Sequence, residues 1–189
     1  MSALVEQLAQ QLASIARPPV PPVDGQRRAA VAALLHEAPS GPRVLLMKRA
    51  ERSSDPWSGH ISLPGGGYQP GDPDLLATAI RETHEELGIE LTSEQLVGNF
   101  APLLPRTSGP TLVEVTPFVF RTPVALEPIC GVEAVSAFWL PLELAISGAL
   151  DTTYTYPPLS MKFPAWTYEG HVIWGLTRRI LDDLVAAGR

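Results

Sequence analysis

The sequence predicts an α/β (α+β) fold, built as an α/β/α sandwich. Three observations predict it. The chain has 189 residues, 45% of them hydrophobic and 18% charged, an ordinary balance for one domain with a full core. Segments of strand length and segments of helical periodicity are interleaved along it, which suits helices layered on a sheet. No internal repeat or domain boundary interrupts that order.

The elements follow in chain order. From Ala3 to Ala16, Leu4, Leu8, Leu12 and Ile15 recur at helical spacing and predict an amphipathic helix. Pro18, Pro19, Pro21 and Pro22 end it and make a stiff linker. Residues 1–24 are thus read as an N-terminal helix with a Pro-rich linker, and 25–189 as a single domain. The helix has two destinations, its own domain or a second subunit, which leaves a homodimer open. Arg28–His36 and Arg43–Arg49 are apolar-rich runs flanking a turn at 37–42 and predict a hairpin. Asp55 to Asp74 is too rich in Gly and Pro for regular structure, apart from a short strand at His60–Leu63. A helix then starts, with Asp72 as N-cap, Pro73 at the first helical position and Asp74 at the positive end of the dipole. It runs to Leu87 and stops at Gly88. Val97–Leu104, Leu112–Phe120 and Val135–Leu140 read as strands, and Pro141–Ser147 as one or two helical turns. Met161–Tyr168 and His171–Ile173 predict a hairpin across Glu169 and Gly170. Trp174–Ala187 is the closing helix, striped by Leu176, Ile180, Leu184 and Ala187.

Charge narrows the function. A formal net charge of -6 disfavours a protein that coats nucleic acid. It does not disfavour a small phosphorylated substrate, because a bound metal can reverse the local field. The one cysteine, Cys130, makes neither an internal disulfide nor, alone, a zinc site. A reducing cytoplasm is therefore expected. No run approaches the ~18 apolar residues of a membrane span, and the N-terminus lacks the basic-then-apolar plan of a signal peptide.

The most informative segment is Arg81 to Gly88. On a helical wheel Leu76, Ile80, Thr83 and Leu87 share the face toward the sheet, and Glu82, Glu85 and Glu86 group on the far flank. Arg81 stands one turn before Glu85, where the two can pair. Three carboxylates near the negative end of a helix repel one another and oppose the dipole. A divalent cation removes both penalties, and magnesium favours such hard oxygen ligands. A solvated acidic face is the ordinary reading of such a cluster alone. Leu63, Pro64, Gly65, Gly66 and Gly67 just upstream change that weighting, because glycines let the backbone approach an ion or phosphate closely.

The spacing Gly66-x5-Asp72-x8-Arg81-Glu82-x2-Glu85-Glu86-x-Gly88-Ile89 resembles the signature of the Nudix hydrolase family. The family pattern has Glu where Asp72 stands and seven residues, not eight, before the Arg. Asp72 and Asp74 therefore compete for that place. The resemblance implies a Nudix-type α/β/α sandwich with a central mixed β-sheet. It also implies Mg²⁺ (or Mn²⁺) held by Glu82, Glu85 and Glu86, with a carbonyl of Gly65 or Gly66 completing the shell. Arg81 would orient the carboxylates, and water would attack a phosphorus of a P–O–P bridge. The base is one of the three helix glutamates or a distant one. Glu114, Glu127 and Glu133 are the distant candidates, and Glu133 stands where many family members carry an extra acid facing the metals.

The run Leu45 to Ala50, then Gly59 to Gly66, and the tail Tyr168 to Thr177 are similar to the coenzyme A diphosphatase branch. The branch usually has an Arg where Ser54 and Asp55 stand, and a Phe where Leu63 stands. The resemblance implies coenzyme A or its thioesters as substrate, giving 3′,5′-ADP and a phosphopantetheine fragment. ADP-ribose or another nucleoside diphosphate derivative is the alternative, and a non-catalytic nucleotide-binding module the third reading. Arg49 and Arg106, with Arg52 behind them, are candidates for substrate phosphates, as are Gly66 and Gly67. Trp57, Tyr168 and Trp174 are candidates to stack on a base, and His60 is placed near the site. His84 is read as structural, and His36 and His171 carry no signal. The expected partner is a small nucleotide, not nucleic acid or a membrane.

Overall fold

The computed structural model describes residues 3–15, 27–51, 57–105, 113–158 and 160–187. Its elements in chain order are α1 (Ala3–Ile15), β1 (Arg27–Ala38), β2 (Gly41–Arg49), β3 (Ile61–Ser62), β4 (Gly65–Gly67) and α2 (Leu75–Leu87). After them come β5 (Leu96–Asn99), β6 (Val113–Thr122), β7 (Ala134–Pro141), α3 (Leu142–Ile146), β8 (Asp151–Tyr156), β9 (Met161–Tyr168), β10 (His171–Trp174) and α4 (Gly175–Ala187).

The central sheet runs β3-β2-β1-β6-β5, with β4 paired to β1 and β7 to β2. It is mixed. β1 and β6 are parallel from Arg27↔Val113 to His36↔Thr122, and the other pairings are antiparallel. Both faces are covered, which is why β1 and β2 read as nearly continuous apolar runs. Successive residues alternate faces. Ala33, Leu35, Val44 and Leu46 pack with Ile180, Leu181 and Leu184 of α4 on one side. Ala30, Ala32, Leu34, Leu45 and Met47 pack with Ala79 and Leu87 of α2 on the other. Each fully buried Leu contributes about 1.5–3 kcal/mol, so the two layers hold the sheet flat against both helices. A second sheet, β10-β9-β8, is antiparallel and adjoins β3 and α4.

Val5, Leu8 and Leu12 of α1 are buried in the α4-side core. These three residues therefore pack on the chain's own domain. Among the described residues no helix is long and apolar enough to cross a membrane.

The structure differs from the expected elements at five points. The N-cap of α2 is Asp74, whose carboxylate accepts from the Ala77 N–H at 2.8 Å. Asp72 cannot cap because its carboxylate is taken by Arg81, Thr78 and the Gln69 N–H. Pro73 accordingly lies before the helix. The glycine run is itself a strand, β4, since pairing with β1 satisfies its backbone. β5 ends at Asn99, and only Leu103 beyond it bridges to Val115, for Pro102 and Pro105 break the ladder. β8 was not expected, because its Asp, Thr and Tyr residues show no apolar alternation and are mostly exposed. Trp174 closes β10 and does not open α4.

Candidate active site

Arg81 organises the site. Its Nε and Nη2 donate to the two oxygens of Asp72, each at 2.9 Å. Nη1 donates to Glu82 Oε1 at 2.8 Å and to Glu85 Oε2 at 3.2 Å, and Nη2 also donates to the Gly67 carbonyl at 3.2 Å. These are five bonds for the five N–H groups of a guanidinium. The bidentate Arg81 contact holds the Asp72 carboxyl down at about 2, although burial opposes it. Thr78 Oγ1 adds a 2.8 Å bond to Asp72 Oδ2. The shorter acid and the extra residue thus offset each other: Asp72 grips the Arg and Asp74 caps the helix.

The three glutamates are not equivalent, contrary to the wheel. Their side chains are 12%, 55% and 2% exposed at Glu82, Glu85 and Glu86. Glu86 is drawn under β4, where Glu86 Oε2 accepts the Gly65 N–H at 2.8 Å. Its Oε1 is buried with no hydrogen-bond donor among the described residues, and Arg49 Nη1 stands 3.9 Å away. Burial pushes this carboxyl up to about 7, against the Gly65 and Arg49 contacts and with Glu82 and Glu133 adding to the rise. Burial also raises Glu82, while Arg81 opposes it.

Two glycines are required by close approach. A Cβ on Gly65, whose φ is +149°, would lie 2.2 Å from the Ala30 carbonyl oxygen. A Cβ on Gly66 would lie 2.5 Å from the Glu82 carboxyl carbon. The glycine strand is therefore pressed onto the carboxylates. A divalent cation fits this setting: Glu86 Oε1 is a buried anionic acceptor with no donor, and the set is all hard oxygen. Among the described residues no three His, Cys, Asp or Glu side chains are grouped so that they alone could hold a metal ion. The remaining ligands would then be water and substrate phosphate, as magnesium usually arranges.

Of the distant acids, Glu133 comes close enough to raise both Glu82 and Glu86. Its carbonyl accepts the Ala50 N–H at 2.8 Å, which seats it beside the end of β2. Glu114 lies 3.6 Å from Arg28 in an ion pair, and Glu127 is exposed. His84 is exposed on α2, and Cys130 is an exposed free thiol. Arg52 and Arg106 lie outside the described residues.

A cleft of about 540 Å³ opens beside the glycine strand. Arg49, Trp57, His60, Gly65, Gly66, Gly67 and Trp174 all line it. Tyr168 does not, for its ring packs on Phe138 at 6.1 Å within the core. The sequence reading missed Thr78 and the aliphatic cleft wall of Val31 and Leu176. Thr78 had a signal, since it lies one turn before Arg81 and Glu82; the wall had none, because its residues come from distant segments.

The family profile described as NUDIX domain matches residues 26–159. A relative named uncharacterized Nudix hydrolase NudL, from Photorhabdus laumondii, is 34% identical over 174 residues, covering 88% of each chain. The mouse mitochondrial coenzyme A diphosphatase NUDT8 is 32% identical over 151 residues, covering 75% of this chain and 68% of that one. The crystal structure of a NUDIX hydrolase from Alicyclobacillus acidocaldarius superposes with a TM-score of 0.59 at 17% identity, covering 89% of this chain and 95% of that one. That likeness speaks for the fold alone.

Proposed function

The chain belongs to the Nudix hydrolase family, enzymes of diphosphate bonds in nucleotide-type substrates, and from that premise we propose that its substrate is coenzyme A or a coenzyme A thioester. The products would be 3′,5′-ADP and a phosphopantetheine fragment. The observation that carries this is the 32% identity, across 75% of the chain, to a protein named a coenzyme A diphosphatase. We propose residues 25–189 as the catalytic domain, preceded by the N-terminal helix and Pro-rich linker of residues 1–24, and the cytoplasm as its compartment.

In this reading Glu82, Glu85 and Glu86 hold Mg²⁺ (or Mn²⁺), with Glu133 and the backbone of Gly65 as further ligand candidates. When bound, the ion neutralises phosphate charge and lowers the pKa of water. The chain's own groups do the rest. Asp72 fixes Arg81, and Arg81 fixes Glu82 and Glu85 in one orientation. Gly66 and Gly67 let the diphosphate approach the backbone, and Arg49, at the mouth of the cleft, neutralises a phosphate oxygen. One of the helix glutamates or Glu133 takes the proton of the attacking water. His60 and Trp174 contact the substrate beyond the diphosphate.

The test is product identification after incubation with coenzyme A and Mg²⁺. Release of 3′,5′-ADP is expected. A large preference for ADP-ribose would transfer the assignment to that substrate class. Nucleotide binding with no product in either Mg²⁺ or Mn²⁺ would make the chain a binding module.

A further inference from the structure

A helix leaves its last four carbonyls without partners inside itself. In α2 the His84 carbonyl accepts the Gly88 N–H at 2.8 Å, within the left-handed cap. Two more are filled from the loop of residues 123–133, which joins β6 to β7. The Leu87 carbonyl accepts the Ile129 N–H and the Glu86 carbonyl accepts the Gly131 N–H, each at 2.8 Å. Glu86 is therefore tied twice, through its carboxylate to the Gly65 N–H of β4 and through its carbonyl to Gly131. Burial contributes little to holding this part of the loop. Cys130 is exposed, Ile129 is 76% exposed and Val132 is 87% exposed. The loop's far end is fixed by the Glu133 carbonyl, which accepts the Ala50 N–H just past β2.

Gly131 is what admits the close approach. A Cβ there would lie 2.4 Å from the Glu85 carbonyl oxygen. Gly131 is not among the glycines with positive φ, so contact with the helix end, and not backbone conformation, requires a glycine. Glu133 follows two residues later. Two residues span at most about 7 Å, so Glu133 hangs from the same helix end that carries Glu82 and Glu86, and its charge helps to raise both. The two N–H groups also offset the negative pole of the helix, against which the glutamates stand.

We propose that the Ile129 and Gly131 backbone bonds are a latch that positions Glu133 against the carboxylates of α2, so that the ion's surroundings are completed by a loop the helix itself holds. Gly131 is thereby a positioning residue. The proposal rests on the reading of Glu133 as an acid facing the ion.

The experiment uses the whole chain with Mn²⁺ alone as probe, and reads its affinity from the spin resonance of the free ion. The wild type, Gly131→Ala, Glu133→Gln and the double variant are compared. Each single variant should weaken Mn²⁺ binding by about tenfold, the scale on which groups that orient a metal's ligands act. The double variant should be weaker than Glu133→Gln by less than about twofold, because without the acid the latch has nothing to position. Circular dichroism should stay native in all four. A second measurement needs no glycine variant. Amide hydrogen exchange should show the Ile129 and Gly131 amides protected in the metal-free wild type and slowed further by Mg²⁺. In Glu133→Gln the protection should remain and the slowing by Mg²⁺ at these two amides should be lost. If Glu133→Gln binds Mn²⁺ as the wild type does, the reading of Glu133 falls and takes the latch with it. If Glu133→Gln weakens binding while Gly131→Ala does not, or the two losses multiply, or the two amides exchange as in an unfolded peptide, Glu133 keeps its place and the latch falls.

Discussion

Glu86 is the residue on which charge, burial and packing converge. It is 1% exposed, it accepts from the glycine strand through Oε2, and its Oε1 has no donor. A neutral amide of the same shape would keep the Gly65 bond and lose the charge. Glu86→Gln should therefore lower turnover by about 10² or more, while circular dichroism stays native. Near-normal turnover would remove Glu86 from the proposed ligand set. The segment Arg81 to Gly88 was legible because its residue types and spacing are unusual on any helix. The unequal burial of the glutamates was not. A wheel places side chains around one axis and carries no information about which strand lies across it. The Arg81 pairing with Glu85 was legible from i,i+4 spacing, and the Asp72 grip on Arg81 was not, because the sequence assigned the Asp72 carboxylate to the helix cap that Asp74 makes.

The element that makes this geometry is β4. Three glycines form a strand between β1 and α2, so the backbone of one touches the carboxylates of the other. Gly65→Ala places a methyl group 2.2 Å from the Ala30 carbonyl oxygen, in a backbone conformation that Ala rarely adopts. Overpacking of this kind costs about 1–3 kcal/mol or more. The expected outcome is a lowered melting temperature together with loss of activity, since β4 must leave the glutamates to relieve the clash. A variant with the wild-type melting curve and full turnover would show that the strand has room to shift. A Gly-rich run was read as a loop because glycine disfavours strands; here pairing to a long neighbour overrides that preference. The long apolar runs of β1 and β2 and the stripes of α2 and α4 were legible because each buries a periodic face. β8 was not, since its polar residues pair with β9 and bury little.

At the scale of the whole molecule, Asp72 and Glu86 set opposite pH limits. Asp72 titrates at about 2 against a usual 3.8. Its contribution is present above pH 3.8 and is lost as pH falls through 2. Glu86 titrates at about 7 against a usual 4.5. The folded chain binds this proton more tightly than the unfolded chain, so its contribution is full below 4.5 and is lost as pH rises through 7. With metal chelated, the loss from Glu86 reaches on the order of 3 kcal/mol, the equivalent of its shift. A dication must displace the same proton, and its binding stabilises the folded state by mass action. The stabilisation by Mg²⁺ should therefore grow across the interval in which the chelated protein weakens. Thermal melts with chelator and with excess Mg²⁺ at about pH 5.5 and about pH 8 measure both effects. The gap between the two melting temperatures should widen at the higher pH, and in Glu86→Gln it should stay small at both. An equal gap at the two pH values in the wild type would mean that the ion binds without meeting the Glu86 proton, and that the carboxylate under the glycine strand is not among its ligands.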